Sequence, residues 1–92
     1  MTNNERKTAA MTRLNYPPGT RLELIFMGND PNPVPPGTRG TVELVNSLGD
    51  IEVNWDNGRS LSLIPGEDSF RKLTMAELAA EQNLGGMQWQ TM

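Results

Sequence analysis

Gly40-Thr41-Val42-Glu43-Leu44-Val45-Asn46-Ser47-Leu48-Gly49-Asp50-Ile51-Glu52-Val53-Asn54-Trp55-Asp56-Asn57-Gly58-Arg59-Ser60-Leu61-Ser62-Leu63-Ile64 is the stretch whose reading decides the fold. Apolar and polar residues alternate through it, which is the period of a half-buried strand. Val42 and Leu44 share one face of a first strand, Ile51, Val53 and Trp55 one face of a second, and Leu61 and Leu63 one face of a third. Ser47-Leu48-Gly49-Asp50 supplies the first reversal. Asp56-Asn57-Gly58 supplies the second, because Asn-Gly accepts the positive φ that a tight hairpin demands.

Working outward, Tyr16-Pro17-Pro18-Gly19 sets a turn, and Leu22, Leu24 and Phe26 then fall on one face of a strand with Arg21 and Glu23 on the other. The segment from Gly28 to Gly37 holds four prolines and reads as a long, semi-rigid loop. Downstream, Pro65-Gly66-Glu67-Asp68 turns the chain into a short closing strand through Phe70. Five short strands with frequent turns and no crossover helix predict a mainly all-β fold: a small five-stranded SH3-like antiparallel barrel over residues 15–73. The expected inward set is Leu22, Leu24, Phe26, Val42, Leu44, Ile51, Val53, Trp55, Leu61, Leu63, Ile64 and Phe70.

The flanks read differently. Residues 1–14 lack a sustained apolar period and are expected to form a flexible N-terminal arm, with at most a short helix over residues 8–14. Thr74-Met75-Ala76-Glu77 is a capping box and starts a short C-terminal helix, residues 74–84, that stops at Gly85-Gly86. Its Met75 and Leu78 side is expected to dock, leaving residues 85–92 as a tail.

Composition excludes much. Ninety-two residues suffice for one small domain, and the chain has neither cysteine nor histidine. Disulfide frameworks, thiol nucleophiles, imidazole acid–base chemistry and the usual zinc sites are thereby removed. Turn acids such as Asp30, Asp50, Asp56, Glu67 and Asp68 have no calcium-loop spacing, and no histidine is present to activate Ser60, Ser62 or Ser69. The reading is a non-enzyme without cofactor or metal. Eleven acidic residues against eight basic ones give a net charge of -3, the wrong sign for a protein held to nucleic acid by phosphate neutralisation. With no membrane-length apolar run and no apolar N-terminal leader, the expected location is the cytoplasm.

The segments Tyr16-Pro17-Pro18-Gly19-Thr20-Arg21, Pro35-Pro36-Gly37-Thr38-Arg39-Gly40-Thr41-Val42, Trp55-Asp56-Asn57-Gly58 and Leu61-Ser62-Leu63-Ile64-Pro65-Gly66-Glu67-Asp68 together resemble a bacterial domain-of-unknown-function family of SH3-like barrels. The resemblance covers most of residues 16–73. It implies a setting in low-GC Gram-positive bacteria, their phages and conjugative elements, and it brings no catalytic residues. The repeated Pro-Pro-Gly-Thr-Arg, at 17–21 and 35–39, reads as two turns that each launch a strand, without the glycine spacing of a phosphate cradle.

The leading functional expectation is a protein-binding module, with inhibition of a host or defence complex of the anti-CRISPR kind as its specific form. The alternatives are a nucleic-acid-binding accessory, should the basic residues gather on one face, and a self-associating module joined through the C-terminal helix and tail. The preorganised loop contributes Asp30, Asn32, Pro33, Val34 and Pro35 as candidate partner-binding residues, with Arg39 beside it. Tyr16 and Trp89, outside the periodic core, complete the set.

Overall fold

The structure is a computed structural model that describes residues 3–28 and 30–90, with side chains described for residues 8–28 and 30–83. Its elements are α1 (Asn3–Asn15), β1 (Arg21–Phe26), β2 (Arg39–Val45), β3 (Ile51–Trp55), β4 (Ser69–Lys72) and α2 (Met75–Gln90). The strands form one antiparallel sheet in the order β3-β2-β1-β4. The sheet is open, so the mainly-β expectation holds while five strands closed into a barrel do not.

The missing strand has a local cause. Residues 59–64 fold back beside β3 and touch it at two isolated bridges of the same register, Asn54↔Ser60 and Ile51↔Leu63. Between them the carbonyl of Leu61 accepts the indole N–H of Trp55 at 2.9 Å, so this acceptor serves a side chain instead of a strand ladder.

One face of the sheet carries the core, where Leu22, Leu24, Val42, Ile51, Val53, Trp55 and Leu63 are buried. Val34 from the proline-rich loop and Met27 join them, and Tyr16, Leu61 and Phe70 pack at the edge. Each fully buried side chain of this kind contributes about 1.5–3 kcal/mol of transfer free energy. Three residues expected inside are exposed: Phe26, Leu44 and Ile64. The first two follow β-bulges, between Leu24 and Phe26 in β1 and between Val42 and Leu44 in β2, and an extra residue in a strand reverses the facing of what comes after it. For Ile64, the backbone N–H donates to the buried carboxylate of Asp68 at 2.7 Å, and the side chain turns out to solvent.

Of the arm expected over residues 1–14, the described part is helical: α1 (Asn3–Asn15) contains the short helix expected over residues 8–14 and extends it, while residues 1 and 2 lie outside the described residues. Ala9 is buried beside Gly49, whose φ of 89° is a turn conformation that favours glycine. Arg13 donates to the carbonyls of Val45 and Asn46, fastening α1 to the β2–β3 turn. At the other end α2 begins at the capping box, with Thr74 N–H donating to Glu77 at 2.8 Å and Glu77 N–H to Thr74 Oγ1 at 3.1 Å. Instead of stopping at Gly85-Gly86, α2 continues to Gln90. Glycine weakens a helix by about 1 kcal/mol per residue without forbidding helical φ, so the pair does not break it.

Candidate functional site

The face of the sheet opposite the core is built from charge. Alternation places Arg21 and Glu23 of β1, Arg39 and Thr41 of β2 and Arg71 of β4 on it. Residues four apart on a helix share a side, so α2 presents Glu77 and Glu81 together to this face. Glu77 accepts a bidentate pair of hydrogen bonds from Arg71 at 2.8 and 2.7 Å and a further one from Arg39 at 3.3 Å. Glu81 accepts two from Arg21 at 3.1 and 2.7 Å and one from Arg39 at 3.2 Å. Arg21 also grips Asp56 in a bidentate pair at 2.8 and 2.7 Å, and Glu23 sits 3.3 Å from Arg39 and 3.4 Å from Arg71.

Fork-to-fork geometry is the strong form of the arginine–carboxylate contact. It holds the carboxyl groups of Glu77, beside Arg71, and Glu81, beside Arg21, below their ordinary range, and that of Asp56, beside Arg21, likewise. Because these side chains keep 20–51% of their surface in water, single pairs of this type contribute only about 0–1 kcal/mol, and the network matters more than any member. Of the expected docking pair, Leu78 is half-buried as expected, whereas Met75 is 81% exposed and is corrected, and Glu77 and Glu81 make the ion pairs to the sheet.

A second feature lies where α1 meets the β2–β3 turn. A groove of about 290 Å³ is lined by Thr8, Ala9, Leu48, Gly49, Ile64 and Pro65, among others. Leu48 and Ile64 are both exposed at it. Asn46 fixes this turn by accepting from the N–H groups of Leu48 and Asp50, each at 3.0 Å, so Leu48 is presented on rigid backbone.

The residues singled out from sequence are scattered by comparison. Tyr16 is half-buried edge-on to Phe70, with ring centroids 5.5 Å apart, and Lys72 lies 5.0 Å over its ring. Asp30 accepts from Asn32 N–H, and the carbonyls of Asn32 and Pro33 accept from Arg59 at 2.6 and 3.0 Å. Val34 is fully buried in the core, and the Pro35 carbonyl closes a turn with Thr38. Arg39 belongs to the arginine cluster, and the side chain of Trp89 lies outside the described residues. The loop is thus tied down by Arg59 and by its own turn contacts, and among the described residues of the set Arg39 alone joins the arginine–carboxylate cluster. Sequence reading missed Glu77 and Glu81 as docking groups, although their spacing of four and the outward arginines of β1 and β2 carried the signal.

Among the described residues, no group of three or more acidic, histidine or cysteine side chains is placed to hold a metal ion, and no helix is long and apolar enough to cross a membrane. An open antiparallel sheet with a core on one face and an arginine cluster under an acidic helix on the other defines a small, mainly-β domain with two helical flanks. Residues 5–73 match the family described as a domain of unknown function, DUF4314, and the chain belongs to that family. A search of curated proteins returned no match.

Proposed function

We propose that the chain is a non-catalytic protein-binding module that uses the groove between α1 and the β2–β3 turn. The observation that carries this reading is the presentation of two large apolar side chains, Leu48 and Ile64, at the rim of a groove whose backbone is fixed by Asn46. Solvated apolar side chains on rigid backbone bury area in a complex at little ordering cost. The nucleic-acid alternative is weakened because Arg13, Arg21, Arg39, Arg59 and Arg71 all hydrogen-bond to carbonyls or carboxylates of the chain itself. Inhibition of a host or defence complex from within the cytoplasm is the form that small size and net negative charge favour, together with the mobile-element setting that the family resemblance implies.

The SH3-like description of the fold belongs to the same proposal. Its support is the adjacency of β1 and β4, together with residues 59–64 lying beside β3 as a broken further strand.

Affinity capture from the source organism, with and without nuclease treatment, tests the reading with the wild-type chain and a Leu48→Asp, Ile64→Asp variant. Both side chains are exposed, so the variant should fold. A stoichiometric protein recovered by the wild type and lost by the variant supports the groove. Recovery that disappears with nuclease moves the function to nucleic acid.

A further inference from the structure

The geometry points to the arginine face as a receptor for an acidic helix of a partner protein, with α2 acting as a built-in occupant that such a helix displaces. Arg71, Arg39 and Arg21 form two carboxylate slots. One takes Glu77 between Arg71 and Arg39, and the other takes Glu81 between Arg21 and Arg39. The two slots are spaced for carboxylates at positions i and i+4 of a helix, which is a specific ruler and more than a basic patch.

The way α2 is held suits an exchangeable occupant. Its described side chains that pair with the sheet's charged face are Glu77 and Glu81, Leu78 adds one half-buried apolar contact, and Met75, Ala76, Ala79, Ala80, Gln82 and Asn83 are exposed. Contacts of this type are weak one by one and are screened by salt. A helix this short has little stability of its own once it leaves the sheet. Another acidic helix, offered in trans, would meet the same three guanidiniums and regain the same hydrogen bonds. This surface is independent of the α1 groove, so failure at either leaves the other standing.

The test uses the full-length chain carrying Glu77→Gln and Glu81→Gln. Glutamine still completes the capping box at position 77, so the substitutions remove the charge while keeping the helix start. The probe is a fluorescent peptide with the chain's own sequence from Thr74 to Gln90, whose binding is read by anisotropy at low salt. The variant should bind the peptide at least about tenfold more tightly than the wild type, since its own helix no longer competes. Adding Arg39→Ala to the variant should abolish the gain, and raising salt from about 0.05 to about 0.3 M should weaken binding several-fold.

Equal peptide binding by wild type and variant, or binding indifferent to Arg39→Ala, overturns the proposal. A duplex DNA probe bound more tightly than the peptide also overturns it, in favour of phosphate recognition. If the double variant does not fold, the single Glu81→Gln chain serves: it should gain a smaller part of the peptide affinity, and no gain counts against the proposal.

Discussion

The two Pro-Pro-Gly-Thr-Arg segments take the same shape and then diverge in what they carry. In the first, Thr20 folds back on the Pro17 carbonyl through both its N–H and its hydroxyl, and Gly19 has φ 93°. In the second, Thr38 does the same with Pro35, and Gly37 has φ 88°. Each turn then bonds to the other's strand: Gly19 N–H to Val42 and Val42 N–H to Thr20, Gly37 N–H to Leu24 and Leu24 N–H to Thr38. The result is a local two-fold arrangement centred on the Leu22↔Gly40 pair, and it extends as far as the matching bulges that expose Phe26 and Leu44. At the centre the copies differ. Leu22 fills the core, whereas a Cβ at Gly40 would stand 2.7 Å from Val53 and 2.9 Å from Trp55. One backbone shape therefore serves a filled position and an emptied one, because Trp55 occupies the space on the β2 side.

Alanine at the two central positions should thus do harm for opposite reasons. Leu22→Ala leaves a cavity and is expected to lower stability by about 2–5 kcal/mol in urea denaturation. Gly40→Ala overpacks the sheet against Trp55 and should cost about 1–3 kcal/mol. A neutral Gly40→Ala would contradict the close approach. At the turns the copies should behave alike, with Gly19→Ala and Gly37→Ala each costing about 1–2 kcal/mol from left-handed backbone, since neither added Cβ meets a neighbour. Clearly unequal losses would show that the turns are not equivalent.

The arginines offer the finest contrast. Arg21 holds both Asp56 and Glu81 in paired hydrogen bonds, whereas Arg39 makes single contacts to Glu23, Glu77 and Glu81. Arg21→Ala is expected to lower the melting temperature more than Arg39→Ala, and the reverse order would break the assignment.

Acid should act on the same cluster. The pKa values of Glu77, Glu81 and Asp56 are depressed in the folded chain, so their stabilisation is fully present above the ordinary carboxylate range, near 4, and is lost as pH falls through the folded values. Stability should therefore be level at neutral pH and decline below that range, as a thermal melt series would record.

Much of the sheet was legible in the sequence, because alternation and turn chemistry are local. Ile51, Val53 and Trp55 lie inward, Gly58 takes the positive φ expected after Asn57, and Thr74 and Glu77 close the capping box. Failures came where a distant partner decides. Alternation cannot register a bulge, so Phe26 and Leu44 were placed on the wrong side. Val34 is buried only because its loop folds over the core. The docking side of α2 is set by arginines from three strands, and a hydrophobic reading of the helix alone does not see them.

Hydrogen exchange of the full-length chain at low and high salt tests most directly whether charge holds α2 to the sheet. Amides of α2 should exchange markedly faster as salt rises while those of β1 and β2 stay protected. Protection of α2 that does not change with salt would contradict the account.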